Sequence, residues 1–273
     1  MLGVFDSGLG GLTVLRRLRE LLPAHDLLYF ADQANVPYGD RTPGELLQLT
    51  ERNLNRLNAA GAKAVIMACN TSCATASEFG WPQSDAPILD LIESAAIAVK
   101  EGGYRSVGVI ATAATARSGA YAEAIGEIAA GTHVAEVAAP ALVPLVEAGK
   151  LEGAEPRAAV ASVCEQLPPG VDAVVLACTH YPLLETHFRE VLGAGIAVVD
   201  PAQMHAQRAA RMVAELGIEP GAGTTLCVTS GNLERFRERL RLLIGDLKPQ
   251  ICASLGSDGV GVASQFAREG VGG

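Results

Sequence analysis

Aromatic residues are scarce in this 273-residue chain: phenylalanine, tyrosine and tryptophan together make up 4% of it, with a single tryptophan. A core built without them has to be filled by Ala, Val, Leu and Ile, whose small and β-branched side chains suit close packing of helices on a sheet. Positive charge is also in short supply, with 21 Lys and Arg against 30 Asp and Glu and a formal net charge of −9. Non-specific nucleic-acid binding needs basic surface that displaces counterions, so a nucleic-acid partner is excluded. The most basic stretch, RFRERLR at 235–241, is interrupted by Glu238 and by apolar residues at helical spacing, and reads as a solvated helix face. No run is long and apolar enough to span a bilayer, so no membrane partner is expected. The N-terminus lacks a basic stretch and Asp6 interrupts its short apolar start, so no signal peptide is expected and the cytoplasm is the expected compartment. The six cysteines are too sparse for a disulfide framework and include no Cys-x-x-Cys pair, so free thiols in a reducing compartment are expected.

What the chain does have is a repeated stretch. AVIMACNTSC at 64–73 and AVVLACTHYP at 173–182 are both apolar, β-branched runs ending in Ala-Cys and small polar residues. Such a run reads as a buried strand with a cysteine at its C-terminal tip. Open parallel sheets bind ligands just beyond those tips. The repeat is wider than the thiols. Gly3 and Gly108 begin similar strand-to-helix turns 105 residues apart, and Cys69 and Cys178 are 109 residues apart. Two landmarks at nearly one offset point to an internal duplication. The fold class that follows is α/β: two βα-alternating halves with parallel sheets, packed about a pseudo-twofold so that the cysteine tips face one cleft.

Further stretches carry candidate chemistry. DSGLGG at 6–11 is a glycine-rich turn between the first strand and a helix predicted over 12–22, where backbone N–H groups can approach an anion. Its spacing does not match the dinucleotide fingerprint, so no nucleotide cofactor is expected. A polar loop, DQANVPYG at 32–39, follows the second strand. Helices are expected over 42–60, 72–79, 93–101, 120–129, 157–166, 183–192, 203–216 and 232–244, and the Gly-rich tail after Gly256 is expected to be poorly ordered. A cysteine at a strand-to-helix junction feels the helix N-terminus, which favours thiolate, and its ordinary pKa is already near neutral. Redox pairing, a zinc site of Cys69, Cys73 and His180, and single-cysteine nucleophilic catalysis each fit the pattern less well than a two-base proton transfer. That reaction needs matched groups on opposite faces of one carbon.

GVFDSGLGGLTVL, ADQANVPYG, ACNTS and ACTHYPLL, in that order from Gly3 to about Asp200, together resemble the glutamate racemases of bacterial cell-wall synthesis. The resemblance implies two flavodoxin-like domains with the active site between them: 1–93 plus 205–273 on the Cys69 side, and 94–204 on the Cys178 side. It implies a cytoplasmic, homodimeric enzyme that uses no cofactor and no metal and interconverts L- and D-glutamate for peptidoglycan synthesis. It implies catalytic roles for Cys69 and Cys178, assisted by Asp6 on the first side and by Glu147 and His180 on the second. Substrate binding would fall to Asp6, Ser7, Tyr38, Gly39, Asn70, Thr71, Thr112, Thr115, Thr179 and His180. On local grounds alone Asp6 also fits a turn or cap residue, His180 a structural histidine, and Glu147 an exposed helix residue. Ser72-Cys73 departs from the family pattern and leaves a third thiol near the first. The chain starts almost at its first strand, so the regulatory extension of some relatives is not expected. Aspartate racemase is the nearest alternative, but those enzymes usually carry Cys-Thr-Glu where this chain has Cys178-Thr179-His180. A non-catalytic amino-acid-binding module is the alternative of a different class.

Overall fold

A computed structural model describes residues 1–244 and 251–254. The tail after Gly256, expected to be poorly ordered, lies outside the described residues. The chain forms two parallel sheets flanked by helices. The first half runs β1 (Leu2–Asp6), α1 (Leu12–Leu21), β2 (Leu27–Ala31), α2 (Pro43–Ala59), β3 (Val65–Met67), α3 (Asn70–Phe79), β4 (Ile88–Leu89) and α4 (Leu91–Gly102). The second runs β5 (Ser106–Ala111), α5 (Ala113–Ser118), α6 (Ala120–Ile128), β6 (His133–Ala138), α7 (Leu142–Glu147), α8 (Ala154–Cys164), β7 (Ala173–Ala177), α9 (Glu185–Leu192) and β8 (Ala197–Val199). The chain then returns through α10 (Ala202–Glu215), β9 (Thr225–Thr229), α11 (Leu233–Ile244) and β10 (Ile251–Ser254).

The strand orders carry the duplication. The larger sheet is β10-β9-β2-β1-β3-β4 and the smaller is β6-β5-β7-β8. The last four positions of the first match the second one for one, and every pairing is parallel. Strands β1, β2, β7 and β9 are buried along their whole length, as strands covered by helices on both faces must be. The duplication is not complete, because β9 and β10 extend only the first sheet.

Local signals set the helix ends. Thr42 and Glu45 form a reciprocal capping box, with Pro43 in the first turn of α2. The Asp90 carboxylate accepts from the Ile92 N–H and starts α4, which Gly103 stops in a left-handed conformation. One cluster of buried side chains runs through both halves, from Phe5, Met67 and Leu91 to Tyr121, Val109 and Val175. The facing sheets therefore share apolar core.

Three helix boundaries differ from expectation in ways that matter. Helix α3 starts at Asn70 and not at 72, so Asn70 and Thr71 lie in its first turn and Cys69 is its N-cap. Helix α8 starts three residues early, on Gly153. The helix expected over 183–192 is a 3-10 turn, Tyr181–Leu184, followed by α9. Pro182 sits in that first turn, and the segment does not settle into α geometry until it has passed.

Candidate active site

Cys69 leaves the tip of β3 and Cys178 the tip of β7, which are matching positions of the two sheets. Both open onto one pocket. Its lining includes Ser7, Tyr38, Gly39, Asn70 and Thr71 from the first half, and Thr112, Thr179 and His180 from the second. Ten of the thirteen residues expected in the site therefore meet at one cavity. Asp6, Thr115 and Glu147 do not line it. They lie behind it, each holding a residue that does.

Asp6 is buried under the glycine-rich turn. Its Oδ2 accepts from the N–H groups of Gly8 at 3.0 Å and Gly11 at 2.9 Å. Its Oδ1 accepts from the Thr179 hydroxyl of the other half at 3.3 Å. Burial raises the Asp6 pKa, against the lowering effect of His180 and of the two backbone donors. The turn was expected to make room for a ligand. It makes room for the protein instead. A Cβ on Gly10 would lie 2.5 Å from the His180 nitrogen and the Thr179 carbonyl carbon, and one on Gly8 would lie 2.9 Å from Glu147 Oε1. The glycines let the second half's TH loop sit directly on the first half's turn.

The two thiols differ in their surroundings. Cys69 caps the ten-residue α3, and its Sγ lies 3.5 Å from the Ser7 hydroxyl. The helix N-terminus was expected to favour the thiolate. Burial raises the Cys69 pKa instead, the Asp6 carboxylate adds to the rise, and hydrogen bonds from Ser72 and Ser7 oppose it. Cys178 does not precede an α-helix, so the expectation of a helix N-terminus fails there. It has an imidazole instead. Cys178 Sγ is 3.7 Å from His180 Nδ1, and His180 Nε2 is 2.6 Å from Glu147 Oε1. Burial disfavours charge on His180, but Cys178 and Glu147 prevail and raise its pKa well above the ordinary histidine value. Glu147 moves the opposite way: burial raises it, but the hydrogen bond and charge of His180, the Leu9 N–H and Arg239 together lower it. Both directions favour the charged form of an imidazole that lies between a carboxylate and a sulfur.

The polar wall is also built across the halves. Thr71, Thr112 and Thr115 form a ring of hydroxyls, with Thr71 to Thr112 at 3.0 Å and Thr112 to Thr115 at 2.9 Å. Thr115 thus acts from behind Thr112. Gly39 packs on Thr112, where a Cβ would sit 3.1 Å from the threonine Cβ. Tyr38 lines the pocket, and its hydroxyl donates to Asp32 Oδ2 at 2.7 Å, outside the lining. Tyr121, which sequence reasoning missed, is fully buried on α6 and donates its hydroxyl to Asn70 Oδ1. Val36, Pro37 and Asp40 on one side, and Ala113, Pro140, Val143 and Pro144 on the other, complete the lining and were also not anticipated. The prolines of PALVPLVE at 140–147 mark a loop running into a short helix, and that is the available signal for the last three. No lysine or arginine lines the cavity among the described residues. An anion there would be met by hydroxyls, the Asn70 amide, the first-turn N–H groups of α3 and the His180 cation. Among the described residues no group of His, Cys, Asp and Glu is arranged to hold a metal ion, which leaves the Cys69, Cys73 and His180 zinc reading without a geometry.

A two-sheet α/β protein with a thiol from each sheet facing one pocket is a class with known members. Residues 3–209 match the Asp/Glu/Hydantoin racemase family, and the chain belongs to that family. It is 42% identical over 248 residues to the glutamate racemase of Gloeothece citriformis (strain PCC 7424), covering 89% of this chain and 88% of that one. Among solved structures, it resembles glutamate racemase from Thermus thermophilus in complex with beta-chloro-D-alanine, with a TM-score of 0.81 and 33% identity over 94% of this chain and 97% of that one. It also resembles glutamate racemase from Francisella tularensis subsp. tularensis SCHU S4 in complex with D-glutamate, with a TM-score of 0.83 and 25% identity over 93% and 97%.

Proposed function

We propose that this chain is a glutamate racemase in which Cys69 and Cys178 work as a pair of acid and base. The observation that carries the reading is the placement of the two sulfurs at matching strand tips on one pocket. One thiolate takes the Cα proton of glutamate and becomes a thiol. The electron pair left on Cα then takes a proton from the opposite thiol, which becomes a thiolate. Charge and protons balance over the turnover, the configuration inverts, and the roles exchange in the reverse direction. No step calls for a metal or an organic cofactor.

The developing carbanion delocalises onto the α-carboxylate, so donors aimed at that group lower the barrier. Ser7, Asn70, Thr71, Thr112 and Thr179 are placed for carboxylate recognition, with Tyr38 and Gly39 forming a wall. Asp6 acts on the second-half loop through Thr179 as well as on its own turn. His180, held by Glu147, supplies positive charge beside Cys178. We take 1–93 with 205–273 as one domain and 94–204 as the other. We place the enzyme as a cytoplasmic homodimer that supplies D-glutamate for peptidoglycan. In keeping with this, no helix among the described residues is long and apolar enough to cross a membrane.

The test is circular dichroism of L-glutamate and L-aspartate solutions with and without the protein, run beside deuterium exchange at Cα in D2O without added cofactor. Loss of the glutamate signal with deuterium uptake is expected. Loss of the aspartate signal alone makes the protein an aspartate racemase. No change with either substrate leaves an amino-acid-binding module.

A further inference from the structure

Asp32 is fully buried, lies outside the pocket, and takes no part in the proton transfer described above. It directly follows β2 and begins the loop whose residues 36–40 form one wall of the cavity. A buried carboxylate is costly unless its lone pairs are filled. Here they are filled by neutral donors from four places in the chain. The Tyr38 hydroxyl donates to Oδ2 at 2.7 Å, and the Asn53 amide of α2 to the same oxygen at 3.2 Å. The Asn35 amide reaches Oδ1 at 2.9 Å and Oδ2 at 3.0 Å. The Ser230 hydroxyl, just after β9, donates to Oδ1 at 2.7 Å. The Arg52 guanidinium stands further off, at 3.8 Å.

These bonds brace one another. The Asn53 amide also donates to the Tyr38 hydroxyl at 3.1 Å, and the Ser230 hydroxyl accepts from the Ala34 N–H at 3.0 Å. The Tyr38 ring packs on Phe5, with centroids 6.4 Å apart. One carboxylate thus holds the loop to α2 on one side and to the start of α11 on the other. Ser230 lies beyond the residues that match the family.

We propose that Asp32 is a positioning residue for substrate binding, whose carboxylate fixes Tyr38 and Gly39 as the wall that glutamate meets. The inference rests on the pocket being a glutamate site. The thiols sit on β3 and β7, so loosening this wall weakens binding and leaves the chemistry largely in place. The test measures racemisation kinetics for Asp32→Asn, Tyr38→Phe, Ser230→Ala and the double variant D32N/Y38F, with melting temperatures beside them. Asp32→Asn keeps the shape but turns part of the acceptor into a donor that faces other donors. Its KM for glutamate is expected to rise about tenfold or more while kcat stays within about threefold, the signature of lost uniform binding. Tyr38→Phe should give a smaller KM rise, and the double variant should be no worse than Asp32→Asn alone, because both remove one bond. If Asp32→Asn does not fold, Tyr38→Phe and Ser230→Ala carry the test, and each is expected to raise KM severalfold. An unchanged KM, a fall confined to kcat, or additive effects in the double variant overturns the inference. A parent protein inactive on glutamate overturns the functional reading, and this inference with it.

Discussion

The two ends of the pocket are copies in topology and opposites in electrostatics. Both thiols leave the third strand of a β2-β1-β3-β4 type order, or its β6-β5-β7-β8 counterpart. Cys69 then meets the Ser7 hydroxyl, and burial together with the Asp6 carboxylate raises its pKa. Cys178 meets an imidazole whose charged form is favoured by Cys178 itself and by Glu147. A duplicated scaffold has kept the reacting atoms equivalent while their supports have diverged. Symmetric geometry is what proton delivery to opposite faces of one carbon requires. Unequal supports let one sulfur rest as a thiol while the other faces a cation.

Removing either sulfur is the strongest challenge to that comparison. Cys69→Ser and Cys178→Ser should each slow racemisation by about 10²- to 10⁴-fold, the range for a lost general acid or base. Each should still exchange the Cα hydrogen of one enantiomer faster than the other, and the favoured enantiomer should differ between the two. Full racemisation in either variant ends the two-base reading. Gly10→Ala attacks the contact between the halves. Its Cβ would have to displace backbone of Thr179 and His180, so a cost of about 1–3 kcal/mol and a drop in kcat of up to about 100-fold are expected from thermal melting and kinetics. A variant with parental melting temperature and activity would show that the loop contact is loose.

Glu147→Gln sharpens the contrast between the thiols. The carboxylate favours the imidazolium, so its loss lowers the His180 pKa, and the alkaline limb of the pH–rate profile should move to lower pH. A limb that stays in place would separate His180 from the reaction. The same pair predicts a stability effect. His180 is raised in the folded state, so its contribution is fully present below the ordinary histidine pKa and is lost as pH rises through the raised value. The melting temperature of the parent should fall across that alkaline range, and less so in Glu147→Gln. The smallest effect expected is for Tyr121→Phe. It removes one neutral hydrogen bond to Asn70, so KM should rise roughly fivefold, with melting temperature little changed.

The elements nearest the chemistry were the most legible. Apolar β-branched runs ending in cysteine can be read locally, and so can the capping signals of α2 and α4. What escaped was contact between distant segments. Tyr121 lies on a helix that reads as ordinary, and its partner is 51 residues away in the chain. Asp32 was visible as the first residue of a polar loop, but its bond to Ser230 spans 198 residues. The glycines of DSGLGG were legible as space, but the approach of Thr179 and His180 was not, because a glycine records a close approach without recording what approaches. The start of α3 was placed two residues late because Asn and Thr are weak helix formers, and their value at a first turn shows only once the pocket is seen.

The chain passes from one sheet to the other twice, between β4 and β5 and again between β8 and β9. Mechanically the smaller half is tethered to the larger at two points and seated on it through shared core. The gap between the two sulfurs is thereby spanned by two chain crossings as well as by the apolar core and the Asp6–Thr179 bond that the halves share.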